Sequence, residues 1–263
     1  MLGGFFIFVQ NNMKREEFEI EVCANSVQSA IAAEKGGANR VELCDNLYEG
    51  GTTPSAAMIF QTKLQTLIPV FPIIRPRGGD FLYSTEEFDV MIKDIEIAHN
   101  MGADGFVIGC LNIDGSIDYE KNARLIEAAK GLPITFHRAF DMTADPNKAL
   151  EICKKLGVTR ILTSGQKNKA VDGSSLIYDL VQLAGNNVII MAGSGITEEN
   201  ICEIATNTLA KSFHVSLRKY YNSKMEFRQN NIFMGGSEDI PEFKNKFTSI
   251  NKVKELIKQL ECM

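Results

Sequence analysis

The sequence predicts an α/β chain folded as a single (β/α)8, or TIM, barrel. Three observations carry this. Short β-branched runs alternate with helical runs about eight times over roughly 240 residues, the length and rhythm of such a barrel. Several helical runs end in Gly-Ala or Gly-Val just before the next strand (Gly37-Ala38, Gly102-Ala103, Gly157-Val158), where glycine closes a helix as its C-cap. The 263 residues contain no linker, low-complexity tract or sign of a second domain. An open doubly wound sheet is the competing arrangement, but it typically has fewer strands. A chain this long buries roughly 75% of its unfolded surface, so it needs neither disulfide nor metal to fold.

The first strand spans 18–24 and the first helix 26–35. A strand at 40–45 leads through Gly50-Gly51 into a helix with Thr53 as N-cap and Pro54 as first residue, positions these residue types favour. Strand 70–75 precedes helix 85–100, strand 105–110 precedes helix 118–130, and strand 134–138 precedes helix 146–156. Strand 160–164 precedes helix 174–184, strand 188–192 precedes helix 198–208, and strand 212–218 is followed, much later, by the last helix at 253–260. The stretch 219–250 is read as a long loop, a kind that is uncommon and often functional. It carries Tyr220, Tyr221, Met225, Arg228 and Met234. Residues 1–12 read as a loose extension ahead of a domain at 13–263. Their apolar run, Phe5 to Val9, is far too short to span a bilayer and lacks the basic start and cleavage site of a signal peptide.

Composition narrows the function. Apolar residues make up 44% and charged residues 23%, which excludes wholesale disorder, collagen and coiled coil. A formal charge of −5 leaves no sequence-wide basic field to hold nucleic acid. The six cysteines form no Cys-x-x-Cys pair and read as reduced cytosolic thiols.

Strand parity then places polar side chains inside the barrel. Alternate residues of a strand face opposite ways. Phe18, Ile20, Val22 and Ala24 must lie against the outer helices, so Glu21 and Cys23 point inward. By the same parity Glu42 and Cys44 point inward on the second strand, Arg75 shares the parity of Ile73 on the third, and His137 is inward on the fifth. Ser212, His214, Ser216 and Arg218 are inward on the eighth. Barrel interiors are usually Val, Ile and Leu, and buried ionisable groups are costly unless paired. A register-setting ion-pair network would explain them. A ligand site at the C-terminal mouth explains them better, because that is where barrel sites lie and where perturbed groups cluster.

The loops agree. Arg75-Pro-Arg77-Gly-Gly-Asp80 puts two arginines beside exposed backbone N–H groups, a possible anion cradle. Thr163-Ser164-Gly165 and Gly193-Ser194-Gly195 are turns near helix N-termini, where many barrels bind phosphate. In this scheme Glu21 or Glu42 is a base, His137 its acid partner, and His214 lies in the same inward set. Arg75, Arg77, Ser164, Gly193 and Gly195 hold a small anionic or phosphorylated substrate. No lysine ends a predicted strand, which argues against a Schiff-base aldolase. A three-histidine zinc site, a Walker A loop and a Gly-x-Ser-x-Gly elbow are also absent. Of the cysteines, Cys153 lies on an apolar helix stripe, whereas Cys23 and Cys44 are same-facing on neighbouring strands. Converging thiolates would suit a soft ion such as Cu(I), although two small buried apolar residues explain them as simply.

The segments Glu21-Val-Cys23, Arg40-Val-Glu42-Leu-Cys44, Glu49-Gly-Gly-Thr-Thr-Pro54, Ile74-Arg-Pro-Arg-Gly-Gly-Asp-Phe-Leu-Tyr-Ser84, Ile134-Thr-Phe-His-Arg-Ala-Phe-Asp141, Leu162-Thr-Ser-Gly165 and Phe213-His214 together resemble the CutC copper homeostasis family. The resemblance runs from about Phe18 to the last helix, and the long run to Ser84 makes it specific. It implies a TIM barrel, a cytoplasmic location, a homodimer or higher homo-oligomer, and a role in copper handling. It also implies that Cys23 and Cys44 are the residues that take Cu(I).

Overall fold

Most of the helices begin where a side chain can cap them. In the computed structural model, which describes residues 13–229, 231–235 and 240–263, Ser26 accepts a hydrogen bond from the Ser29 N–H and opens α1 (Val27–Gly36) after β1 (Glu19–Ala24). Then β2 (Arg40–Leu43) leads to α2 (Ala56–Gln65), and β3 (Val70–Pro72) to α3 (Thr85–Asn100), whose Ser84 and Glu87 form a reciprocal capping box. The order continues with β4 (Phe106–Ile108), α4 (Tyr119–Ala128), β5 (Ile134–Phe136), α5 (Pro146–Lys155), β6 (Arg160–Thr163), α6 (Ser174–Ala184), β7 (Ile189–Gly193), α7 (Ile201–Thr208) and β8 (Ser212–Val215). The helix α8 (Ile250–Glu261) ends the chain.

The eight strands lie side by side in the order β3-β2-β1-β8-β7-β6-β5-β4 and pair in parallel. The remaining seam closes through a parallel bridge from Ile73 to Val107, where the Ile74 N–H donates to the Val107 carbonyl at 2.8 Å. The result is the predicted (β/α)8 barrel. Its packing separates into two cores, as the parity argument requires. Phe18, Ile20, Val22, Ala24, Val41 and Leu43 join the layer between strands and helices. Cys23, Cys44, Phe71, Ile73 and Val107 form a small cluster inside the barrel.

Two expectations change. The helix α2 starts at Ser55, which caps it by accepting from the Met58 N–H, and Pro54 lies before the cap. Thr53 is used elsewhere, because its hydroxyl accepts the Arg75 backbone N–H at 2.9 Å and ties this loop to the end of β3. The stretch 219–250 is not one open loop. The chain turns at Leu217, whose φ of 46° is left-handed, and starts a hairpin of β9 (Arg218–Asn222) and β10 (Lys244–Thr248). The predicted strand 212–218 is therefore split between barrel and hairpin. The expected extension at 1–12 lies outside the described residues.

The lower barrel interior is ionic. The Arg40 Nε lies 2.5 Å from a Glu21 carboxylate oxygen, and its Nη1 lies 3.6 Å from Glu19. Arg160 reaches Glu19 at 3.4 Å, and both guanidinium groups lie over the Phe71 ring, at 5.1 and 5.9 Å. Removing one member of a buried pair leaves an uncompensated charge. Arg40→Ala should therefore cost about 3–5 kcal/mol in urea unfolding, and pairing Arg40→Met with Glu21→Gln should restore most of it.

Candidate functional site

Register decides what meets at the mouth. In the β1–β2 pairing Cys23 lies opposite Glu42, and in the β1–β8 pairing Glu21 lies opposite His214. Glycine makes the room. A Cβ on Gly193 would lie 2.4 Å from the Leu162 Cδ1 and 3.1 Å from the His214 Cβ, so a side chain there would crowd both.

His214 bridges the two inward glutamates. Its Nδ1 lies 2.8 Å from Glu21 and its Nε2 3.4 Å from Glu42. Beside them the sulfurs of Cys23 and Cys44 are 3.7 Å apart. One ligand atom each from Cys23, Glu42 and Cys44 falls within a mutual 4.8 Å, and all three residues are buried.

This crowding separates the titrations. Burial opposes charge on Glu21, but Arg40 and His214 outweigh it and hold the carboxyl down at about 2. Burial pushes Glu42 up to about 8; the neighbouring Cys23 and Glu21 add to that, while His214 acts against it. Burial also opposes charge on His214, yet Glu42, Cys23 and Glu21 raise it well above the ordinary imidazole value. The Cys23 thiol falls well below its ordinary range because Cys44 hydrogen-bonds to it, with His214 and Arg218 nearby; Cys44 correspondingly rises. The shifts run in opposite directions: Glu21 and Cys23 are driven toward their ionised forms and His214 toward imidazolium, while Glu42 and Cys44 are driven toward their protonated forms.

His137 stands on another part of the wall. Its ring lies 4.9 Å from the Phe81 ring, and burial together with the Arg75 charge lowers it to about 3. The structure places the remaining predicted residues as follows. The Arg75 terminal nitrogens donate to the carbonyls of Glu49, Gly51 and Gly79 at 2.7–2.8 Å, stitching two loops together. Arg77 pairs with Glu87 at 2.5 Å and Asp80 at 3.0 Å and lines neither mouth cavity. Ser164 accepts from Arg138 at 2.7 Å and donates to Asp141 at 2.9 Å, so it braces that ion pair. Glu21 lies beneath the mouth, fully enclosed.

Two cavities share Cys23, Arg138 and His214. One, of about 270 Å³, is lined by Ile73, Phe81, Met142 and Leu162 together with Glu42, Arg75 and His137. The other, of about 350 Å³, is basic: Arg138, Arg218, Lys246 and Lys252 line it, with Gly195 and Thr197 at one edge. Its acidic member is Glu198, which pairs with Lys252 at 2.9 Å. Sequence parity placed Arg218 inward but did not find the rest of this basic group. Lys246 arrives on the hairpin, and Lys252 falls in the first turn of α8, which starts at Ile250, three residues before the predicted start at 253.

A family model, the CutC family, matches residues 18–219. The chain belongs to the CutC family. The copper homeostasis protein cutC homolog of Homo sapiens is 47% identical over 239 residues, 91% of this chain and 88% of the relative. A CutC family protein of Bacteroides fragilis is 47% identical over 246 residues, 93% of this chain and 98% of the relative. A crystal structure of CutC from Streptococcus agalactiae superposes with a TM-score of 0.72 at 37% identity, covering 76% of this chain and 98% of its own. This CutC member has, among its described residues, no helix long and apolar enough to cross a membrane.

The Glu42 carboxyl makes a pH test. Between about 4.5 and about 8 the folded chain keeps a proton on Glu42 that the unfolded chain has released. Stability therefore falls as pH rises across that window. Thermal unfolding from pH 5 to 9 should show a decline in the wild type that is shallower in Glu42→Gln.

Proposed function

We propose that the chain handles Cu(I) as cargo, held on Cys23 and Cys44 at the barrel mouth. The observation that carries this is a pair of buried sulfurs 3.7 Å apart on adjacent strands. Thiolate is the soft donor that selects Cu(I), and it must be deprotonated to bind. The Cys23 thiol is lowered toward that condition, whereas Cys44 is raised and would give up its proton on binding the ion. Metal–thiolate bonds of about 2.3 Å, the zinc value, would put two sulfurs about 4.6 Å apart across a straight S–metal–S unit. The shorter separation favours a third donor, and Glu42 and His214 stand beside the sulfurs. The name of the human relative supplies the copper connection. A cytosolic homodimer or higher oligomer belongs to the same proposal, in keeping with six unpaired cysteines.

Anaerobic titration against a Cu(I) chelator should show one ion lost when Cys23→Ser and Cys44→Ser are combined. Unchanged stoichiometry would move copper to an exposed thiol such as Cys262 and overturn the proposal.

A second reading, an enzyme acting on a small anionic or phosphorylated substrate, is favoured by the basic cavity joined to the acid–base pair. A carboxyl that keeps its proton to about 8 is tuned for general acid work near neutral pH. In this reading Glu42 and His214 exchange protons with the substrate while Arg138, Arg218, Lys246 and Lys252 hold its anionic group. Millimolar phosphate should raise the melting temperature, because a ligand of the folded state stabilises it. Arg218→Ala should remove that rise, and no rise in the wild type would defeat the phosphate form of this reading.

A further inference from the structure

We propose that His137 and Arg75 form a donor pair for one oxygen of the ligand, the carbonyl or carboxylate oxygen of a small organic phosphate whose phosphate sits in the basic cavity. This rests on the enzyme reading of the same mouth and adds where the second polar group of the substrate binds.

The His137 tautomer is set by the backbone. Its Nδ1 accepts the Ala139 N–H at 3.1 Å, at the start of the 3-10 turn Arg138–Met142. A neutral imidazole that accepts at Nδ1 carries its hydrogen on Nε2. That Nε2–H is buried and has no hydrogen-bond partner among the described residues. Buried polar groups without partners are few in native proteins, and an unbound ligand is one explanation of them. The Nδ1–Cε1 edge backs onto Gly109, where a Cβ would lie 2.5 Å from Cε1, and His137 is among the residues that line the cavity.

Arg75 repeats the pattern. Its terminal nitrogens are occupied by carbonyls, while its Nε is buried and unpartnered among the described residues. Both residues line the 270 Å³ cavity and both pack on Phe81, with the guanidinium carbon 5.1 Å from that ring. Two fixed donors against an apolar wall are the arrangement that stabilises negative charge on a bound oxygen with no reorganisation. Because burial and Arg75 hold the imidazole at about 3, His137 stays a neutral donor at every physiological pH and does not act as an imidazolium acid. Glu42 and His214 line the same cavity, so proton-transferring groups and oxygen donors address one ligand. The basic cavity joins it at Cys23, Arg138 and His214. The ligand class is therefore a short molecule with a phosphate at one end and a carbonyl or carboxylate at the other.

The test compares inorganic phosphate with 2-phosphoglycolate, which adds a carboxylate, on the full chain. Nitrogen-15 NMR of the histidines should show the His137 Nε2–H resonance moving with 2-phosphoglycolate and staying put with phosphate. Calorimetry should give 2-phosphoglycolate an affinity advantage of about tenfold over phosphate, as expected for one added hydrogen-bonded group. His137→Phe, which keeps a ring against Phe81, should abolish that advantage and leave phosphate affinity unchanged, whereas Arg218→Ala should weaken both ligands. A resonance unmoved by bound 2-phosphoglycolate, or an advantage kept in His137→Phe, overturns the donor pair and leaves the enzyme reading standing. Failure of both ligands to bind the wild type overturns both.

Discussion

Glu21 is a carboxylate that water cannot reach, and the mouth is organised around it. It is wholly buried, with Arg40 at 2.5 Å on one side and His214 at 2.8 Å on the other. An isolated charge at that depth would neutralise or unfold the site, so the two cations are conditions of its being ionised. The consequences pass upward. Glu21 joins Glu42 and Cys23 in raising His214, and His214 adds to the Cys44 hydrogen bond in lowering the Cys23 thiol. Arg40 thus acts on the mouth through Glu21 and His214, as a positioning residue that does not line it.

The two inward histidines show how environment divides one residue type into two roles. His214 stands between Glu21 and Glu42 beside Cys23 and is raised toward its charged form. His137 faces an arginine and a phenylalanine ring and stays neutral. Each stands opposite a strand-end glycine, Gly193 for His214 and Gly109 for His137, because the barrel is too narrow there for another side chain. Acid–base chemistry and neutral hydrogen-bond donation can then operate in one cavity at one pH.

The copper and enzyme readings share that cavity, since Cys23 and His214 belong to both cavities at the mouth. Two sulfurs and a low thiol pKa are what a soft ion requires. Two carboxylates, a neutral imidazole and four basic side chains exceed what carrying an ion requires. The sulfur pair bears on the first, and the wider lining of the mouth bears on the second.

The alternation of strands and helices determined the barrel, because period-2 and period-3.6 patterns are local properties of a chain. Parity alone also placed Glu21, Cys23, Glu42, Cys44, His137 and His214 inside, since the pleat leaves no other choice once one face is apolar. Parity gives a direction but no height and no partner. Arg75 points inward, yet its terminal nitrogens are taken by carbonyls of loops whose paths the sequence does not encode locally. Ser164 and Arg77 sit in loop motifs legible in the sequence, but that they contact Asp141 and Glu87 is decided by the fold. Arg40 pairs with Glu21 only because β1 and β2 align in one register. Lys246 reaches the mouth only because β10 pairs antiparallel with β9. Direction is a property of the strand; distance, pairing and pKa belong to the closed barrel, where residues far apart in the chain share one low-dielectric space.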